Sequence, residues 1–235
     1  MMTTRAAELD WQRKYFSVPP ESIRVVETPY VARHFHEATR RLGAPEGADV
    51  LEIGAGEGRY TRALREHGFD VTANELSPVL ADRLRTALPA ERLHVSEGDA
   101  AALGASMPGR FRFVVGFFVL HHFAELADTL AGVRRAMTPG GVAVFIEPYG
   151  HNPLYALQVA LTPHMRFAGE PALFQMHPRA LRRAFLAAGF AAPEIEKYGH
   201  LPPALYNAPA GAAADRWLTR LGAPRSFLAI TAAAL

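Results

Sequence analysis

The chain of 235 residues contains no cysteine, which excludes disulfide scaffolds, thiolate nucleophiles, and zinc or iron–sulfur centres held by sulfur. A cytoplasmic protein is the matching expectation. Long apolar runs are also missing. No stretch reaches the ~18 uninterrupted apolar residues of a membrane span, and residues 114–120 (VVGFFVL), the most apolar piece, are too short. The first ten residues, MMTTRAAELD, carry charges where a secretory signal needs hydrocarbon. Charge of one sign is scarce: 25 Lys plus Arg stand against 23 Asp plus Glu, a formal net charge of +2. The basic pairs Arg40-Arg41, Arg134-Arg135 and Arg182-Arg183 are isolated. The concentrated stripe used to track phosphates is therefore absent, and no nucleic-acid partner is expected. No carboxylate cluster suggests a magnesium ion, and His34 and His36, two apart in a helical pattern, face different ways. No metal is expected. Oligomeric state has no signature in the sequence.

What the chain does have is a 49% hydrophobic composition, ample for the core of one enzyme domain, and an acid with three glycines at a strand–helix joint. Residues 50–64 read VLEIGAGEGRYTRAL. Val50, Leu51 and Ile53 form a short apolar strand; Gly54, Gly56 and Gly58 supply a turn without Cβ atoms, where a ligand can touch backbone; Thr61, Ala63 and Leu64 continue as helix. Two ligands suit such a turn: a dinucleotide, or an adenosine carrying an amino-acid tail. The dinucleotide fingerprint G-x-G-x-x-G needs a third glycine where this chain has Arg59. Glu52, two residues before the first glycine, would repel a pyrophosphate and receive an ammonium.

The downstream spacing is equally informative. Residues 69–74 (FDVTAN) read as a second strand ending at Glu75, from which a carboxylate can accept two ribose hydroxyls in either ligand. Leu76 follows, against an adenine face or in simple core. Ser77 and Pro78 form a helix start, as N-cap and first helical residue. Residues 93–96 give a third strand ending in Gly98-Asp99-Ala100, and residues 111–123 (FRFVVGFFVLHHF) a buried strand running into a loop.

The pattern E-x-G-x-G-x-G from Glu52 to Gly58 resembles motif I of the class I S-adenosylmethionine (SAM) dependent methyltransferases, and the later segments resemble that family's motifs in order. The resemblance covers roughly residues 50–147. It implies SAM as cofactor, bound by Glu52, Gly54, Gly56, Gly58, Glu75, Leu76, Asp99 and Ala100, with Asp99 accepting from the adenine amine and the Ala100 amide donating to the ring. It implies an α/β fold: a doubly wound, Rossmann-like, seven-stranded sheet with the last strand antiparallel, an N-terminal helical cap and an insertion after strand five. The expected organisation is a single domain, 1–235, divided into a helical cap (1–46), a SAM-binding half (47–147), and an insertion and substrate half (148–235). Two alternatives stay open: an NAD-type Rossmann oxidoreductase, disfavoured by Arg59 and Glu52, and a SAM-binding protein without catalysis.

Along the chain, residues 124–137 read as a helix, Thr138-Pro139-Gly140-Gly141 as a turn into a fifth strand, residues 177–189 as a helix, 195–198 as a sixth strand and 226–232 as the last. Ligands of an open parallel sheet bind beyond the carboxyl ends of its strands, so the rest of the pocket has to come from the first region and the insertion. Both are aromatic, and Tyr15, Phe16, Tyr149 and Tyr155 are the expected pocket residues for a small hydrophobic or aromatic acceptor. The sulfonium already activates the methyl group, so the protein chiefly aligns the nucleophile and excludes water. A hydroxyl or carbon acceptor also sheds a proton. His122, Glu147 and His151 are the candidate bases, while His121 reads as structural.

Overall fold

The computed structural model describes residues 4–15, 27–153 and 170–235. Its centre is a seven-stranded sheet built from β1 (Asp49–Ile53), β2 (Asp70–Glu75), β3 (Leu93–Glu97), β4 (Phe111–Phe117), β5 (Met137–Pro148), β6 (Glu194–Tyr198) and β7 (Phe227–Ala233). The order across the sheet is β3-β2-β1-β4-β5-β7-β6. The first five strands are parallel, and β7 runs antiparallel to both β5 and β6. Strand order reverses between β1 and β4, and a crevice opens there beyond the strand ends.

Alternation along the strands feeds two cores, one on each face. On one face, Leu51, Ile53, Val114, Phe145, Leu228 and Ile230 pack against helices α6 (Leu126–Ala136) and α7 (Pro178–Ala187). On the other, Val50, Val71, Val115, Val144 and Ile146 pack against α2 (Pro29–Leu42), α3 (Arg59–Glu66) and α4 (Pro78–Ala87). The start signals work as expected: Thr28 caps α2 and Ser77 caps α4, each followed by a proline in the first turn. A first helix, α1 (Thr4–Tyr15), lies against the strand ends, and a short α5 (Leu103–Ser106) follows β3.

Three expectations change. Residues 138–141 are not a turn ahead of β5 but its opening: Met137 pairs with Phe111, and the register shifts before Phe113 meets Val142. Gly140, at φ 74, absorbs that irregularity. The helical cap is two different things, because α2 buries Tyr30, Val31, His34, Ala38 and Leu42 in the main core, and among the described residues of the cap only α1 lines the crevice. Between β6 and β7 the chain forms α8 (Pro203–Tyr206) and α9 (Gly211–Arg220), which lack the apolar stripe that would have announced them.

Candidate functional site

At the switch point a cavity opens across the ends of β1, β2 and β4. Its floor is sheet-borne. Gly54 and Gly56 line it in left-handed conformations, φ 70 and 59. A Cβ on Gly54 would lie 2.3 Å from Val119 Cγ2, whereas one on Gly56 would meet open space. The Gly54 turn therefore lets β1 approach the β4 loop, while the Gly56 turn leaves backbone exposed to a ligand.

Glu75 ends β2 in this floor with both oxygens anchored: Gly56 N donates to Oε2 at 2.8 Å and Ser77 N to Oε1 at 2.8 Å. Burial pushes its pKa up, and the backbone donors pull it back down. Leu76, Asp99 and Ala100 line the same end. Asp99 caps the turn that begins at Ala100, accepting from Ala101 N at 3.0 Å.

The other expected cofactor residues stand behind the wall. Glu52 is buried, accepts from Thr61 Oγ1 at 2.5 Å, and is absent from the cavity lining. Burial raises its pKa to about 8; Thr61 lowers it and Glu75 raises it further. Glu52 thus holds a proton at neutral pH and ties β1 to α3. Gly58 begins α3 at φ 91, where a Cβ would come within 2.4 Å of Leu84 Cδ1. It is a packing glycine between α3 and α4.

Of the candidate bases, the structure brings His122 alone to the cavity. Glu147 is fully buried: Oε1 accepts from Val119 N (2.8 Å) and Leu120 N (2.7 Å), and Oε2 meets His121 Nδ1 at 2.6 Å. Its oxygens hold the β4 loop in place and do not face the cavity, so the expectation of a base there is corrected. His121 bridges onward to Glu170, Nε2 to Oε2 at 3.1 Å. The two carboxylates raise its pKa against the opposing effect of burial. His151 is exposed, stacks on His177 at 4.5 Å, and lies outside the cavity.

The pocket aromatics fare similarly. Tyr15 stacks on Trp11, and Tyr149 lies under Lys197 Nζ at 3.8 Å; neither lines the cavity. Phe16 and Tyr155 fall outside the described residues. Among the described residues, no lining residue comes from beyond Thr129, and residues 154–169 of the expected substrate half lie outside the described residues. The aromatic wall comes instead from Tyr60, Phe117, Phe118 and Phe123. Tyr60 stacks on Phe117, 3.8 Å between centroids and 8° apart. Phe118 sits at φ 54, with its N–H bonded to Ile146 O at 2.7 Å. A bulky residue in that conformation is a strained point at the site.

The sequence reading missed the roof and the start of α3. Arg5, Leu9 and Gln12, spaced four and three residues apart on one face of α1, line the cavity, as does Arg59. Gln12 donates to the His122 carbonyl, and burial lowers the Arg59 pKa. Arg59 carried the one available signal, as the residue standing where a dinucleotide site needs glycine.

Comparison with known proteins agrees with this geometry. A methyltransferase-domain family model matches residues 28–194. The chain is 27% identical over 145 residues to a ubiquinone biosynthesis O-methyltransferase of Azotobacter vinelandii, covering 61% of this chain and 59% of that one. It is 28% identical over 109 residues to the Pseudomonas aeruginosa protein of the same name, covering 46% and 47%. The chain thus spans roughly half to three-fifths of the length of these relatives. Among solved structures, a SAM-dependent methyltransferase from Archaeoglobus fulgidus shares the fold at a TM-score of 0.63 and 16% identity, covering 87% of this chain and 92% of that one. A Haemonchus contortus phosphoethanolamine N-methyltransferase, solved with SAM, does so at 0.63 and 16%, covering 94% and 57%.

Proposed function

The chain belongs to the class I SAM-dependent methyltransferases, and from that premise we propose that it moves the SAM methyl group to a small hydrophobic or aromatic acceptor by O- or C-methylation. The observation that carries this is one cavity with two chemically different ends. One end presents the Glu75 and Asp99 carboxylates and the bare Gly56 turn, suited to ribose, adenine and an amino-acid tail. The other is walled by Phe117, Phe118, Phe123 and Tyr60, suited to an apolar body. An acceptor held there would sit beside the cofactor, and His122, which lines the same cavity, would be the group to take its proton. The cofactor is SAM; Gly54, Gly56, Glu75, Leu76, Asp99 and Ala100 would hold it, with Glu52 and Gly58 supporting from behind.

The O-methyltransferase names of the relatives favour oxygen as the methylated atom. The near balance of charge supports a small molecule over a nucleic acid. Among the described residues no helix is long and apolar enough to cross a membrane, and the lack of cysteine supports a cytoplasmic setting. One methyltransferase domain over 1–235 is the organisation we infer. Calorimetric titration with SAM, its product S-adenosylhomocysteine and NAD tests the cofactor: SAM and its product bind in the micromolar range and NAD does not. A screen of phenols, quinones and glycosides for methylated mass then tests the acceptor. NAD binding without SAM binding overturns the reading; SAM binding with methylation of none of these acceptor classes overturns the acceptor assignment.

A further inference from the structure

Asp99, the carboxylate facing the adenine end, is already gripped from above. Arg5 of α1 presents its guanidinium as a fork: Nε donates to Oδ2 at 2.9 Å and Nη2 to Oδ1 at 2.9 Å. The same guanidinium reaches α6 and the residue before it, with Nη1 on Glu125 Oε2 at 3.0 Å and Nη2 on Thr129 Oγ1 at 3.3 Å. These partners lie 94 to 124 residues away in sequence. Arg5 and Asp99 are three-quarters or more buried, so solvent screens the pair only in part. Seven residues along α1, Gln12 fastens the other end by donating to the His122 carbonyl, and Leu9 lies between them over the cavity.

A carboxylate oxygen accepts two hydrogen bonds. Oδ1 takes Arg5 Nη2 and Ala101 N, and Oδ2 takes Arg5 Nε, with Nη2 also 2.8 Å away. Arg5 thus sets the orientation of the carboxylate at the adenine end, and it lies with Leu9 and Gln12 over the cavity.

We propose that Arg5 is a cofactor-retaining positioning residue: it orients Asp99 and straps α1 across the bound adenosine, so that release of the cofactor product waits on breaking the Arg5 ion pairs. The proposal rests on reading the cavity as the SAM site. It predicts that Arg5→Ala releases S-adenosylhomocysteine at least about tenfold faster than wild type, the scale of losing a charge-assisted pair. Arg5→Lys, which keeps the charge and loses the fork, falls between them. Rising salt speeds release from the wild type and leaves Arg5→Ala unmoved.

Stopped-flow displacement of bound S-adenosylhomocysteine from the full chain reads all three, and hydrogen exchange of the α1 amides without ligand reads the strap independently. Faster α1 exchange in Arg5→Ala with faster release supports the proposal. Release within twofold of wild type, or a salt response unchanged in Arg5→Ala, overturns it. If the wild type does not bind S-adenosylhomocysteine, the cofactor reading fails; α1 exchange unaltered by Arg5→Ala overturns the strap on its own.

Discussion

The floor and the roof of the cavity are held by different means. In the floor and directly behind it, carboxylates are fixed by backbone amides: Gly56 N and Ser77 N hold Glu75, and Val119 N and Leu120 N hold the buried Glu147. In the roof, α1 is fixed by side chains, the Arg5 fork and the Gln12 amide. Backbone amides come with the strand–turn geometry and stay put when a ligand arrives. Long side chains give up rotamer freedom to make their bonds and can let go. The floor is therefore preorganised, and the roof is the part able to open and close.

That contrast is most sharply tested at Gly56, where a side chain would alter backbone itself. Gly56→Val forces a β-branched residue to φ 59 beside the Glu75 anchor. It should abolish calorimetrically detectable SAM binding while leaving far-ultraviolet circular dichroism unchanged. Wild-type affinity in this variant would mean the floor is not the cradle.

Glu147 comes next. Glu147→Ala strands two buried amides and leaves His121 with one carboxylate, a loss of about 3–5 kcal/mol expected from breaking one side of a buried charged network. Urea unfolding measures it. A variant with native stability and no turnover would instead return Glu147 to the role of base.

A smaller effect is expected at Glu75, whose replacement by Ala should weaken SAM and S-adenosylhomocysteine alike by about 1.5–3 kcal/mol. Unchanged titrations would remove it from the site.

At Glu52 the effect is a slope against pH rather than a single lost contact. Its folded pKa, about 8 against an ordinary 4.5, means that the native state holds a proton which the unfolded chain gives up earlier. The resulting stability is complete below about pH 4.5 and is lost as pH rises through 8, by at most ~1.4 kcal/mol per unit. Thermal melts of the ligand-free protein should fall between pH 5 and 8 more steeply for wild type than for Glu52→Gln. Parallel slopes would place Glu52 in a solvated setting.

The same contrast explains what could be read from the sequence. Strand β1, the glycine turns, Glu75 and the Ser77 cap were legible because each is encoded within a few residues of where it acts. The opening of β5 was not, since the strand starts at Met137, opposite Phe111, and Thr138-Pro139-Gly140-Gly141 forms an irregularity inside it before Val142 meets Phe113. Helix α9 was hidden because its described buried positions are Gly211 and Asp215, the latter buried through an ion pair with Arg33 at 2.7 Å and an amide donated by His200 at 2.8 Å. Arg5 was illegible for the same reason: its meaning lies 94 residues away, in Asp99. Glu147 was read by position as a base, although nothing local reveals how many amides a carboxylate will meet.

Asn152 and Glu170 are both fastened to distant parts of the chain. On one side Asn152 Nδ2 donates to Ser226 Oγ at 2.9 Å and to Arg225 O at 3.1 Å. On the other, Glu170 holds His121, and Ala172 N donates to the His121 carbonyl at 2.9 Å. Both anchors tie residues that follow β5 to partners far from them in sequence, so a change at either is felt across the sheet.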